Sequence, residues 1–154
     1  DEIIGGFEGE QSGNNFLVIM TKNGNFYQYV NNEFVLKKSG LTYNAKPNFK
    51  IYLNGVFVSN GIDEPFLFVP NHDPEILPAN CTTSSGHNIR GNAIEVYKGR
   101  VWIADGSTLY YSALGKYDDW TSENDAGSMS NFHNFGFIYF VIHSAGSKRK
   151  CFEK

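Results

Sequence analysis

Two twelve-residue stretches of this chain lie over each other without a gap. Lys50-Ile51-Tyr52-Leu53-Asn54-Gly55-Val56-Phe57-Val58-Ser59-Asn60-Gly61 matches Glu95-Val96-Tyr97-Lys98-Gly99-Arg100-Val101-Trp102-Ile103-Ala104-Asp105-Gly106, each residue standing 45 positions after its counterpart. Both read as an apolar residue, a Tyr, a tight turn, then Val, an aromatic, a β-branched residue, a small one, Asn or Asp, and Gly. A returning apolar run follows each, Pro65 to Val69 in the first case and Thr108 to Ser112 in the second. Val18 falls on Val58 and Phe26 on Phe66, each 40 positions apart, so the opening hairpin is a third copy. A weaker fourth begins at Val141-Ile142, with Gly146 standing 40 after Gly106.

The repeated unit is made of strands. No window of a dozen residues keeps apolar positions at helical spacing, and 16 glycines together with the asparagines interrupt every candidate. Phe16 to Met20 is a short apolar run, Lys22-Asn23-Gly24-Asn25 supplies a turn tolerant of positive φ, and Phe26 to Val30 returns. Asn31-Asn32 turns the chain again into Glu33 to Lys38, whose Phe34 and Leu36 suit a half-exposed outer strand. The first 40 residues therefore predict a three-stranded meander. Pro70 to Pro78 holds three prolines in nine residues and runs into the polar Ala79 to Asn88, which predicts a long surface connection closed by a short strand.

A period of 40 to 45 residues, each a set of short strands joined by Gly/Asn/Asp turns, is the period of β-propeller blades. One four-stranded blade buries its faces only against neighbouring blades, so the unit has to be copied. The fold class expected is all-β: consecutive antiparallel meander blades of a partial propeller, near residues 1–45, 46–90 and 91–143, followed by a frayed basic tail at 144–154 with Lys148-Arg149-Lys150. Propellers close with about 4 to 8 blades, so three copies and pieces of a fourth predict an open arc or a portion of a longer protein. Asp1, at a mid-blade position and without a preceding Met, agrees with that expectation.

Charge narrows the partners. Charged residues make up 19% of the chain, with a net charge of −3, leaving no basic excess to neutralise nucleic-acid phosphates or anionic lipid. The longest apolar run, Phe135 to Ile142, is far shorter than the ~20 residues a membrane helix needs. Asp1-Glu2 before Ile3-Ile4 is not the basic-then-apolar order of a signal peptide. Cys81 and Cys151 lie 70 positions apart with no CxxC spacing, which reads as two free thiols and suits a reducing cytoplasm.

Candidate chemistry is sparse. His72-Asp73-Pro74-Glu75 gathers three potential metal donors in four residues, but Pro74 stiffens the segment and a solvated loop explains it. Ser84-Ser85-Gly86-His87 lacks the Gly-x-Ser-x-Gly elbow of serine hydrolases and reads as a serine-rich linker. The carboxylate pairs Asp63-Glu64 and Asp118-Asp119 sit in a hairpin turn and a connection, where acids cap backbone. A glycoside-acting enzyme would use such pairs. Ser112 to Trp120 is similar to the Asp-box of sialidase propellers, yet Leu114 stands where the Asp belongs and Gly115 comes one residue early. Tyr52, Tyr97, Tyr110, Tyr111, Tyr117, Trp102 and Trp120 would stack on sugars in a lectin, but their regular place in each copy argues for packing between blades. No catalytic, cofactor-binding or metal-ligating residue is assigned.

Residues Gly91 to Ala113, followed by Asp119-Trp120-Thr121, resemble a pattern in virion proteins of tailed bacteriophages. The pattern has Lys-Gly-Arg, then Val-Trp-Ile-Ala-Asp-Gly, then Leu-Tyr-Tyr-Ser and Asp-Trp-Thr; the resemblance spans about residues 45 to 130 and lapses after Ser130. It is found in propeller-bearing tail and neck components, some of which build the nozzle of short-tailed phages. The resemblance implies a non-catalytic structural protein, made in the host cytoplasm and carried in the virion. Its partners would be other copies of itself or neighbouring virion proteins, packed in a ring. A carbohydrate-binding propeller and a glycoside-acting propeller enzyme are the alternatives.

Overall fold

The computed structural model describes residues 1–130. They form twelve strands in three separate antiparallel sheets of four, with each sheet built from strands consecutive in the chain. Sheet I holds β1 (Ile3–Gln11), β2 (Asn14–Thr21), β3 (Phe26–Val30) and β4 (Glu33–Lys38). Sheet II holds β5 (Asn48–Tyr52), β6 (Gly55–Ser59), β7 (Phe66–Phe68) and β8 (Ile76–Pro78). Sheet III holds β9 (Ala93–Tyr97), β10 (Arg100–Asp105), β11 (Thr108–Tyr111) and β12 (Gly127–Met129), with a 3-10 turn at Ser122–Asn124 before its last strand. The three repeated segments thus lie in three different sheets, as the repeat requires. Among the described residues no helix is long and apolar enough to cross a membrane. The described residues form no closed ring of sheets. The fourth copy at Val141-Ile142 and the basic 144–154 segment lie outside the described residues.

The 45-residue offset holds in register. Tyr52 faces Gly55 and Ile51 faces Val56 across β5 and β6; Tyr97 faces Arg100 and Val96 faces Val101 across β9 and β10. Leu53 at φ 52° and Lys98 at φ 47° occupy the same turn position. Two-residue hairpin turns favour a left-handed backbone at this first central position, because the resulting twist matches the strands they join. Asn31 and Asn32, at φ 50° and 66°, turn β3 into β4 with both central residues left-handed, as Lys98 and Gly99 do between β9 and β10.

The 40-residue offset slips by two. Val58 pairs with Phe66, but Phe26 pairs with Met20 instead of Val18, because residues 60–65 link β6 to β7 where the shorter 22–25 links β2 to β3. Sheet I also carries a strand the meander reading omits. β1 is rich in glycine, and its Gly5, Gly6 and Gly9 lower the strand signal. Gly5 and Gly9 are needed for proximity: a Cβ on Gly5 would collide with the Pro47 ring, and one on Gly9 would stand 3.0 Å from Ile51 Cδ1 of sheet II.

Packing follows the two-residue period of the strands. In the middle sheet, Val56, Val58, Phe66 and Phe68 join Phe16, Val18, Met20 and Phe26 of sheet I in one buried cluster. Their neighbours Phe57 and Leu67 point the other way, joining Ile94, Val101 and Ile103 of sheet III in a second. All five residues of β6 are buried. Phe26 meets Phe66 and Phe68 edge-on, with ring centroids 5.3 Å apart in both pairs. Sheet II is therefore covered on both faces.

Polar ties cross the same borders. Asn48 Nδ2 donates to the Asn92 carbonyl at 2.9 Å, the buried Ser59 hydroxyl donates to the Gly91 carbonyl, and Lys37 reaches Glu75 at 2.9 Å. The first strand of each sheet lies nearest the first strand of the next, so the sheets converge at that edge.

Candidate functional site

Polar side chains gather where the β8–β9 connection meets the β11–β12 connection. There a cleft of about 280 Å³ is lined by residues including Thr83, Ser84, Ser85, His87, Tyr110, Trp120 and Ser122. The β8–β9 connection is held by Cys81 and Ile89, both fully buried between sheets II and III and joined by an Ile89 N–H to Cys81 carbonyl bond of 2.8 Å. Its tip turns back through Gly86, whose φ of 87° only glycine adopts freely. His87 is thereby placed beside Asp105, Nε2 to Oδ2 3.1 Å, with its ring stacked on Tyr110 at 5.4 Å between centroids. Asp105 Oδ2 also accepts the Arg90 N–H at 3.0 Å.

This pairing of residues 18 apart was not legible in the chain. The available signal was the Asn60/Asp105 correspondence. Asn60 Oδ1 accepts the N–H groups of Ile62 and Asp63 in its own turn, whereas Asp105 turns outward to the connection.

A histidine, an aspartate and several serines invite a nucleophilic reading, which needs a hydroxyl on the second ring nitrogen. The serines are engaged elsewhere. Ser84 Oγ donates to Glu123 Oε2 at 2.6 Å and accepts the Ser122 N–H at 2.9 Å. Ser85 Oγ lies 3.0 Å from Thr83 Oγ1, which accepts the His87 N–H. Among the described residues no serine hydroxyl bonds the His87 ring. The hydrogen bond from Ser84, its largest cause, holds the Glu123 carboxyl below the usual range. These contacts fasten the two connections to each other.

Both acidic pairs are drawn into turns. Asp63 accepts the Thr42 N–H at 2.7 Å, the Thr42 hydroxyl at 2.9 Å and the Asn60 amide at 2.6 Å. Burial pushes its carboxyl up, but these bonds outweigh it and the net shift is downward. Asp119 accepts the Thr121 hydroxyl and N–H at 2.7 and 3.1 Å and the Asn124 amide at 2.7 Å, so its carboxyl too is held low, first by the Thr121 hydroxyl. Asp118 is exposed and Glu64 is exposed.

The His72-Asp73-Pro74-Glu75 segment lines a shallower depression beside Leu36 and Lys37. His72 Nδ1 bonds the Pro74 carbonyl at 2.7 Å, and Glu75 is taken by Lys37. Among the described residues no group of three or more His, Cys, Asp or Glu side chains stands within reach of one ion.

The aromatic residues divide in two. Tyr52 and Trp120 are buried at 3% exposure, and Trp120 Nε1 donates to the carbonyls of Ala79 and Tyr117 at 3.0 and 3.1 Å, so neither ring offers a face. Tyr52 instead meets Tyr117 edge-on at 6.1 Å. Trp102, Tyr111 and Tyr97 lie on the face of sheet III turned away from sheet II. There Trp102 leans on Tyr111 at 4.9 Å and Arg100 sits 5.2 Å over the Tyr111 ring.

Comparison with protein-family models, curated proteins and solved structures returns no match.

Proposed function

We propose that this chain is a non-catalytic structural protein of a tailed-phage virion, a tail, neck or nozzle component, whose three sheets are consecutive blades of a propeller-type assembly. The observation that carries the reading is the middle sheet. Sheet II is a four-stranded meander covered on both faces by meanders of its own kind, and the first strands of all three draw together at one edge. Blades radiating from an axis have that geometry, with the innermost strands closest. Gly5 and Gly9 permit the approach in sheet I, and the Asn48 to Asn92 bond and Lys50–Glu95 pair at 3.3 Å tie the corresponding strands of sheets II and III.

The viral part of the reading is supported by the resemblance over Gly91 to Thr121 and by how the polar groups are used. The acids and hydroxyls that sequence alone marks as candidate chemistry are largely spent on fastening turns and connections. A low-charge, mildly acidic surface also suits a wall past which DNA slides without sticking.

A carbohydrate-binding role is the second reading, favoured by Trp102 and Tyr111 on the outer face of sheet III. A glycan array separates it, because sugar hits abolished by Trp102→Ala would support the lectin. The direct test of the first reading is immunogold electron microscopy, with an antibody to the purified chain applied to phage particles from the host carrying this sequence. Label at one end of the tail or at the neck is expected. Label on the cell surface or in the secreted fraction, with bare particles, would overturn the proposal. Portal and terminase genes flanking the reading frame are the matching genetic expectation.

A further inference from the structure

Each sheet ends on its fourth strand, β4, β8 or β12. The edge of such a strand presents a row of N–H and C=O groups, and folded chains blunt it by keeping it short or by placing proline on it. β8 and β12 follow that rule with three residues each, and Pro78 closes β8. β4 does not. It runs six residues, Glu33–Lys38, and its first four are all exposed, Phe34, Val35 and Leu36 at 47%, 38% and 51%. Lysines also guard edges, but both lysines of β4 turn back onto their own chain. Lys37 bonds Glu75 at 2.9 Å, and Lys38 lies 5.6 Å over the Phe66 ring.

Register fixes which backbone groups point outward. Val30 and Glu33 flank the two-residue turn at Asn31-Asn32 and close the hairpin between β3 and β4. Residues of an antiparallel strand alternate between bonding one neighbour and the other. Glu33 and Val35 therefore spend their amides and carbonyls on Val30 and Gln28, while Phe34 and Leu36 aim theirs at the outer edge. The side chains of these two share a face, and Phe34 is steadied there by Tyr29, with ring centroids 5.0 Å apart.

This edge is complementary to itself. A two-fold axis normal to the sheet at Val35 sets β4 antiparallel to β4 of a second copy. Phe34 then stands across from Leu36 of that copy, and Leu36 across from its Phe34, so the outward groups of all four meet in backbone bonds. Val35 faces Val35, and Glu33 lies across from Lys37, twice by symmetry. Aromatic–aliphatic and opposite-charge pairs are the ones that stabilise neighbouring strands. A slip of two residues either way breaks the match, placing Glu33 across from Val35 in one direction and from Ser39 in the other.

We propose that β4 is a self-association edge, by which two copies of this chain join about a two-fold axis at Val35 into one eight-stranded sheet. The contact is isologous, so it stops at a dimer. It goes beyond the virion reading and does not depend on it.

The test is sedimentation velocity on the purified chain from about 1 to about 300 µM, a range that reveals a Kd in the micromolar decades. A monomer–dimer equilibrium is expected. Val35→Lys and Val35→Glu each set like charges face to face and should weaken the dimer at least about tenfold, equivalent to ~1.4 kcal/mol. An equimolar mixture of the two should restore it as a heterodimer. Disulfide crosslinking then checks the register in a chain carrying Cys151→Ser, since the remaining Cys81 is fully buried. Val35→Cys should crosslink on mild oxidation, because facing residues have Cβ atoms about 4.5–5.5 Å apart. Glu33→Cys should not, since it stands four residues along the strand from its own counterpart, roughly 13 Å, beyond a disulfide's span. Circular dichroism checks each fold, and the crosslinking arm decides alone should a charged variant unfold. A chain that stays monomeric throughout overturns the proposal, while the virion reading, tested by immunogold, stands apart from that result. Association that both charged variants leave intact, or crosslinking as ready at position 33 as at 35, overturns it too.

Discussion

Replacing Phe57 by Ala removes the ring that sheet II offers to sheet III. Phe57 is fully buried at the centre of β6 and belongs to the cluster containing Ile94, Val101 and Ile103. Transfer of a buried side chain of this size is worth about 1.5–3 kcal/mol. The space left among Leu67, Ile103 and Trp120 cannot be refilled by strands already fixed in register, and the cavity raises the cost to about 3–5 kcal/mol. Against the ~5–15 kcal/mol typical of a domain, that is a large fraction. For a chain of this size, Tm should fall by roughly 10–15 °C. Urea titration followed by circular dichroism gives the loss, with the midpoint moving and the slope unchanged if the native state stays compact. Hydrogen exchange supplies the directional check: protection should drop more in β9 and β10 than in β2 and β3, because Phe57 faces only sheet III. A loss below about 1 kcal/mol, the level of an ordinary surface replacement, or equal deprotection of sheets I and III, would refute the packing of Phe57 between sheets.

Leu53 holds a left-handed backbone at φ 52° with its side chain 70% exposed, so Leu53→Asn should relieve strain and stabilise by about 0.5–1 kcal/mol, read as a raised urea midpoint. Asp63 has its carboxyl held low by Thr42 and Asn60, so its contribution is present above the unfolded carboxylate range and lost as pH falls through the folded value. The stability gap between wild type and Asp63→Asn should accordingly be full at neutral pH and narrow below about pH 4, measured by thermal melts across pH. Burial pushes the Cys81 thiol far above its ordinary range, so Cys81 should stay unmodified by iodoacetamide at pH 8 and react on adding denaturant, as peptide mapping by mass spectrometry will show.

Local turn chemistry and two-residue alternation carried most of the fold. The Asn31-Asn32 turn, the Tyr97 to Arg100 hairpin and the paired apolar runs each encode their strand within a few residues, and the 45-residue echo encodes the stacking. What escaped was structure made by distant partners. β1 has three glycines and qualifies as a strand because its length pairs with β2 while its bare backbone fits against Pro47 and Ile51. β8 is the short strand expected within the proline-rich connection, although its Pro78 end hides its bounds, and β12 has three residues with no alternation to read. The cleft was less legible still. Its His87, Asp105, Ser84 and Glu123 come from segments whose meeting depends on how sheets II and III pack, so no spacing in the chain announces it.

Among the described residues, hydrogen-bonded ladders end at the border of each sheet, and only side chains and two connections cross from one to the next. Pulled from its ends, such a chain yields in discrete lengths. Each four-strand unit peels from its neighbour before its own strands part, giving a stepped extension whose increments match the repeat.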